Sequence, residues 1–231
     1  MAFLVPDVII YAIVPVKRLG VSKRRLSKFL SPLERKFLTI AMLEDVLRAL
    51  KSSTVHEIVV VSSDPNVRMI ADKFGVSFFS PSHNGLNPAV EEATAWCMQN
   101  HADSVLVVPA DIPLLSSADV NKIVELGNCN GSTVVLSPSH DGGTNALFQS
   151  SPNLIRMCFG PHSFAKHIKE AHSKGVCVKL QYSTSLATDI DSAEDLGKLL
   201  KTESNTACRR VLDQFKLVSR MGAAVSQSKS P

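Results

Sequence analysis

Three aspartates and one run of cations are the residues of this chain best suited to chemistry. Asp111 sits in VPADIPLL, directly after the apolar run 105–108 and between Pro109 and Pro113. Each proline fixes its own φ and restricts its predecessor, so this carboxylate stands on stiffened backbone at the end of a buried strand. The plain alternatives are an ordinary loop carboxylate or a helix N-cap. Ser116 fills the capping role better, because the next helical pattern starts after it. Asp189 and Asp191 alternate within TDID, which puts both side chains on one face if the segment is a strand. Two carboxylates pointing together repel unless a cation lies between them. One of them could cap the following helix, but Ser192 competes for that place. With Asp111 they could hold Mg2+, which prefers hard oxygen ligands and binds through few protein carboxylates plus substrate phosphates.

Lys17, Arg18, Lys23, Arg24, Arg25 and Lys28 put six cations into twelve residues that contain no acid. The run could be a nucleic-acid or nuclear-import patch, a solvated stretch, or a phosphate clamp. It lies between a strand end and a helix, the phosphate position of α/β folds. The chain has neither a Walker pattern nor GxGxxG, so a clamp built from side chains fits best. One tryptophan and two tyrosines, none within the run, disfavour a base-stacking nucleic-acid surface. Further along, DGGTN supplies two glycines before a strand, consistent with a plain hairpin turn. In FGPHS, Gly160 and Pro161 are expected to open a helix. That would leave the amides of His162 and Ser163 and the Ser163 hydroxyl free for an anion, with simple capping as the alternative.

The elements that must position these groups alternate between short apolar runs and helical periodicity, which argues for an α/β fold. Residues 8–14 read as the first strand. SPLE then opens a helix, with Ser31 as N-cap, Pro32 at the first position and Glu34 closing a capping box. Leu33, Phe37, Ile40, Leu47 and Leu50 mark its expected buried face. EIVVVSS, VSFFS, VLVVPAD, STVVLSP, NALFQ and VCVKLQ read as strands. The intervening helices are capped by Asp64, Ser116 and Ser192, and one starts after Asn87 with Pro88 first. The early βαβαβ order implies a mostly parallel sheet, whose ligands bind at the carboxyl ends of the strands near a switch point. Asp111 lies there. Val211, Leu212, Phe215 and Val218 share a helical face that could pack on a twin subunit or on its own domain. The tail MGAAVSQSKSP is polar, and disorder is expected for it.

The chain has 231 residues, 45% of them hydrophobic, enough for one good-sized core. Five cysteines without CxxC spacing argue against a disulfide framework or a zinc site and suit a reducing, cytoplasmic setting. The apolar opening is too short to span a membrane and is interrupted by Asp7. Neither a membrane nor a nucleic-acid partner is expected. The net charge is +4, and removing the six cations turns it to −2, so the basic character is local.

PVKRLGVSKRRL, LSPLER, GLNPAV, PADIPLL, GGTNALF, FGPHSFAKH and DIDSAEDL occur in the order seen in the 2-phospho-L-lactate guanylyltransferases, also described as phosphoenolpyruvate guanylyltransferases. The chain resembles that family from about residue 12 to 200. The resemblance implies a single-domain nucleotidyltransferase over 1–203, similar to the nucleotide-diphospho-sugar and GT-A transferases, with a mostly parallel mixed sheet flanked by helices. Residues 204–231 form a terminal helix and tail outside it. It implies GTP, Mg2+ and a small phosphorylated acid as partners, a role in coenzyme F420 biosynthesis, and leaves a homodimer open. By resemblance, Asp111, Asp189 and Asp191 fall on metal positions. Pro15, Lys17, Lys23 and Arg25 match the triphosphate loop, with Lys17, Lys23, Arg25 and Asp111 as the catalytic set. Gly85, Leu86 and Asn87 lie beside the nucleoside. Thr144, Asn145, Gly160 and Ser163 match the acid-binding positions. Another acceptor on the same fold, or a nucleotide-binding regulator without turnover, are the rival readings.

Overall fold

A computed structural model describes residues 8–128, 131–202, 204–217 and 220. Its centre is a seven-stranded sheet in the order β3-β2-β1-β4-β6-β5-β7. The strands are β1 (Ile10–Pro15), β2 (Glu57–Val61), β3 (Ser77–Phe79), β4 (Ser104–Val107), β5 (Thr133–Pro138), β6 (Thr144–Gln149) and β7 (Cys177–Leu180). Only β6 runs against the others: it pairs antiparallel with β4 and with β5, while the remaining pairs are parallel. The sheet is therefore mostly parallel and mixed, as the alternation of elements implied. From β1 the chain builds outward through β2 and β3, then returns to add β4 on the other side of β1. That reversal creates a switch point between the carboxyl ends of β1 and β4.

Both faces of the sheet are covered, which is why the strands read as continuous apolar runs. On one face Ala12, Val14, Val60, Leu106 and Phe148 pack against α1 (Pro32–Lys51), α2 (Pro65–Phe74) and α4 (Ser117–Gly127). On the other, Tyr11, Ile13, Val59, Val107 and Leu147 meet α3 (Leu86–Gln99) and α5 (Ser163–Ser173). The short α6 (Thr184–Ala187) follows β7, and α7 (Ala193–Lys201) and α8 (Ala207–Gln214) close the chain. The capping boxes of Ser31 with Glu34 and Ser116 with Asp119 form, and Ser192 pairs likewise with Asp195. Asp64 caps α2.

Three sequence expectations need correction. Leu33 and Phe37 are 61% and 47% exposed. α1 has two buried faces rather than one: Leu43, Val46, Leu47 and Leu50 meet the sheet, while Leu38, Ala41 and Met42 join a third cluster with α8. A helix between a sheet and another helix does not carry a single stripe. Second, α3 starts at Leu86 with Gly85 as N-cap, so Pro88 stands one residue beyond Asn87 inside the first turn. Third, residues 188–191 form no strand. The alternation survives without one, because Ile190 is fully buried between the two aspartates and its amide donates to the Asp111 carbonyl at 3.0 Å.

Of the two packings open to 211–218, Leu212 is buried in its own domain, against α1 and the segment carrying Ile190. Val218 and the tail from 221 lie outside the described residues. No helix among the described residues is long and apolar enough to cross a membrane, and their cysteines are free.

Candidate active site

The phosphate-loop candidate follows β1 as two short 3-10 turns, Leu19–Val21 and Arg24–Leu26. Its apolar residues are the anchors: Leu19, Leu26 and Leu30 are buried, while Lys17, Arg18, Arg24, Arg25 and Lys28 around them stay exposed. Polar groups fix it further. The Leu19 amide donates to Asp64 Oδ2 at 2.9 Å, and the Ser22 and Thr39 hydroxyls lie 2.9 Å apart. Arg18 Nε donates to Ser63 Oγ at 3.2 Å. The loop is thus tied to the β2–α2 turn and to α1 before any ligand enters.

Lys23 leaves this loop in a left-handed conformation, φ 53°. Its ammonium donates to Asp111 Oδ2 at 2.7 Å and to Asp191 Oδ1 at 2.5 Å. The lysine side chain is only 6% exposed, against 30% for Asp111 and 49% for Asp191. Burial works against the ammonium, but the two carboxylates outweigh it and raise the Lys23 pKa. Asp191 is likewise penalised by burial, yet its pKa is lowered by Lys23, with Lys17 and Arg25 adding to the effect. Asp189 behaves oppositely. Burial raises its pKa, the Asn145 amide at 3.3 Å opposes this, and the charges of Asp111 and Asp191 push it further up. Of the three aspartates expected to converge, Asp111 and Asp191 meet at one lysine, while Asp189 feels both of their charges but contacts Asn145 instead.

Among the described residues no group of three or more His, Cys, Asp or Glu side chains is arranged as a ready-made metal cage. The donor set nevertheless suits a hard divalent ion. Asp189 feels the charges of Asp111 and Asp191, the lysine between those two supplies a single positive charge, and Mg2+ needs only one or two carboxylates beside phosphates.

A cavity of about 620 Å³ opens beside this cluster, at the switch point. Pro15, Lys17, Lys23, Arg25, Gly85, Leu86, Asp111 and Asp191 all line it. Asn87 does not. Its side chain instead holds the backbone of Phe159, accepting from the amide at 2.8 Å and donating to the carbonyl at 3.1 Å. Ser62, Ser63, His83 and Asn84 also line the cavity, and the sequence reading had not singled them out. The first two follow the apolar run of β2, so the rule that ligands gather at strand carboxyl ends could have found them. The loop carrying His83 is organised by Glu92, which accepts from the Ser82 amide and hydroxyl and from His83. These bonds, led by the Ser82 amide, hold the Glu92 pKa at about 2.

The remaining candidates gather at the start of β6. Thr144 and Ser163 are buried, and the Ser163 hydroxyl donates to Thr144 Oγ1 at 3.2 Å. Asn145 reaches Asp189 and the Leu186 carbonyl. The expected free helix end is corrected at Ser163. α5 begins at Ser163 with His162 as N-cap, and the Ser163 amide donates to the Gly160 carbonyl at 3.1 Å. Neither its amide nor its hydroxyl is free. Gly160 is exposed at φ 120°, a conformation L side chains rarely adopt. DGGTN is a hairpin turn between β5 and β6, as read, and Asp141 within it feels the charge of Arg25 across the site.

Comparison with known proteins extends the picture. The profile of a family described as "Guanylyl transferase CofC like" matches residues 10–229. The match takes in the terminal segment that the sequence reading had set outside the resemblance. A phosphoenolpyruvate guanylyltransferase of Rubrobacter xylanophilus is 38% identical over 191 residues, covering 82% of this chain and 93% of that protein. A 2-phospho-L-lactate guanylyltransferase of Methanothermobacter thermautotrophicus is 36% identical, covering 95% of this chain and 98% of its own length. Among solved structures, a nucleotide-diphospho-sugar transferase candidate from Desulfovibrio desulfuricans superposes with a TM-score of 0.75 at 16% identity, covering 92% of this chain and 97% of that one. This last likeness speaks for the fold.

Proposed function

The chain belongs to the CofC-like guanylyl transferase family and is a nucleotidyltransferase, and from that premise we propose that it joins GTP to 2-phospho-L-lactate or phosphoenolpyruvate. The products are the guanosine diphosphate diester of the acid and pyrophosphate, a step in the biosynthesis of coenzyme F420. The observation that carries this reading is the meeting of Lys23, Asp111 and Asp191, from three separate segments, at the wall of the cavity.

An oxygen of the acid's phosphate attacks the α-phosphorus of GTP in line. The new P–O bond forms as the bond to the β-phosphate bridge breaks. A phosphate monoester is largely ionised near neutral pH, so no strong base is needed, and positioning with charge neutralisation does the catalysis. Lys17, Lys23 and Arg25 neutralise the triphosphate and then the departing pyrophosphate. To do so Lys23 exchanges its carboxylate partners for phosphate oxygens. Asp111 and Asp191, with Asp189 behind them, would hold Mg2+, which supplies charge neutralisation at the α-phosphate. Pro15, Gly85 and Leu86 flank the nucleotide, while Asn87 connects that side to the acid site. Thr144, Asn145 and Gly160 hold the acid, and Ser163 supports Thr144 through its hydroxyl.

The test is a panel of small phosphorylated acids incubated with GTP and Mg2+, followed by pyrophosphate release and product mass. Release with one or both named acids, with the mass of the diester, is expected. Release only with a different acceptor would overturn the choice of acid. No release with any acceptor, despite GTP binding, would favour a regulator without turnover.

A further inference from the structure

His167 has no place in the mechanism above, yet it is fully buried directly behind Thr144. Both of its ring nitrogens are engaged. Nε2 accepts the backbone N–H of Cys158 at 2.9 Å, and Nδ1 lies 3.0 Å from Thr144 Oγ1. A nitrogen that accepts from an amide carries no proton of its own. The ring is therefore neutral with its proton on Nδ1, and that proton is donated to Thr144. Burial agrees, holding the His167 pKa down at about 4. The Phe159 ring meets the imidazole edge-on, with centroids 5.0 Å apart, and limits its rotation.

Thr144 Oγ1 then accepts twice, from His167 Nδ1–H and from the Ser163 hydroxyl. A hydroxyl oxygen has two lone pairs and one proton. With both lone pairs used, Thr144 can act only as a donor, and no acceptor for its proton exists among the described residues. We infer that His167 is a positioning residue for the reaction: through a chain running Cys158 N–H to His167 Nε2 and His167 Nδ1–H to Thr144, it commits the Thr144 hydroxyl to donating to an anionic oxygen of the acid substrate. A donor of fixed direction favours an ionised oxygen over a substrate hydroxyl. The subsite thus reads the acid by its charged, accepting group rather than by the hydrogens of its carbon skeleton.

The inference rests on the assignment of Thr144 to the acid site, so the experiment must separate the two. Glutamine at 167 can place an acceptor near the Nε2 position, and asparagine can place a donor near Nδ1. His167→Gln should keep the Cys158 bond and the melting temperature while losing the donor to Thr144. The KM for the acid is then expected to rise about tenfold, the size of one neutral hydrogen bond, with kcat and the KM for GTP within about twofold. His167→Asn should restore the acid KM to near wild type while melting lower. Thr144→Val should raise the acid KM about tenfold, and Thr144→Val with His167→Gln should be no worse than Thr144→Val alone. If Thr144→Val raises the KM and His167→Gln does not, or if the KM changes simply follow melting temperature, the positioning role is overturned. If Thr144→Val itself has no effect, the acid-site assignment fails instead. The imidazole 15N shifts of the unliganded protein remain a separate readout in that case. A proton on Nδ1 is expected, and a proton on Nε2 would overturn the hydrogen-bond chain.

Discussion

Lys23 is a lysine in a left-handed backbone conformation whose ammonium stands between two carboxylates at 2.7 and 2.5 Å. Such a backbone costs on the order of 1 kcal/mol for a residue with a Cβ, so surrounding contacts must hold it. Here the contacts are the two ion pairs. In the nucleotide-free protein the lysine fills part of the charge deficit that a divalent ion would fill once phosphates draw the lysine away. Lys23→Met should therefore tighten Mn2+ binding to the nucleotide-free protein by about tenfold or more, even as it raises the KM for GTP. Titration calorimetry without nucleotide measures this, and weaker or unchanged Mn2+ binding would oppose it. The same substitution should destabilise the fold by about 1–3 kcal/mol. That is less than the about 3–5 kcal/mol of a fully buried pair, because both carboxylates are partly solvated. At this scale much was legible. A carboxylate fenced by prolines, two alternating aspartates and a basic loop already named the groups that meet. Their mutual partner was not legible, because Lys23 is one of six neighbouring cations and only the backbone turn selects it.

Among the elements, α8 does more than close the chain. The Asp45 carboxylate on α1 accepts the Ala207 and Cys208 amides at 2.7 and 2.8 Å, capping α8 from a helix 162 residues earlier. Leu26 of the basic loop, Ile190 between the metal-binding candidates, and Leu212 of α8 share one buried cluster. The terminal helix thus supports both halves of the site from behind. No local pattern could announce this. The cap residue is remote in sequence, and an aspartate in mid-helix reads as a solvated face. A second tie lies further on. Arg220 pairs with Glu34 at 2.6 Å and donates to the Phe29 carbonyl at the loop's end. The Arg220 bond, opposed by burial and helped by Ser31, holds the Glu34 pKa at about 2 rather than 4.5. The folded value lies below the unfolded one, so this contribution is present above about pH 4.5 and is lost as pH falls toward 2. Melting curves should show Arg220→Ala less stable than wild type above pH 4.5, with the gap closing at lower pH. A gap that stays constant through that window would contradict the tie.

For the whole molecule, the decisive feature is the switch in the direction of strand addition that puts β4 beside β1, followed by the antiparallel return of β6 against β4. It brings the basic loop, Asp111 and the β6 residues to one edge of the sheet. The parallel core could be inferred from the order of apolar runs and helices. Neither the place of β6 between β4 and β5 nor the bridge from Asn87 to Phe159 could be, because strand order beyond a crossover leaves no mark on composition. In the proposed function that bridge joins the nucleotide side to the acid side. Asn87→Ala should accordingly raise the KM for the acid about fivefold or more, through two lost hydrogen bonds, although Asn87 precedes the acid residues by more than fifty positions. Steady-state kinetics with each substrate varied in turn checks this, and an effect on GTP alone would place Asn87 at the nucleotide after all.

In the proposed function Asp111 is above all an oxygen donor to a divalent ion on the nucleotide. Pyrophosphate release from GTP and the phosphorylated acid, compared between wild type and Asp111→Asn at saturating Mg2+, tests that most directly. The substitution keeps size and shape and removes the charge, so turnover should fall by about three orders of magnitude or more while circular dichroism stays close to wild type and melting falls no further than for Lys23→Met. An Asp111→Asn enzyme that turns over at the wild-type rate would contradict it.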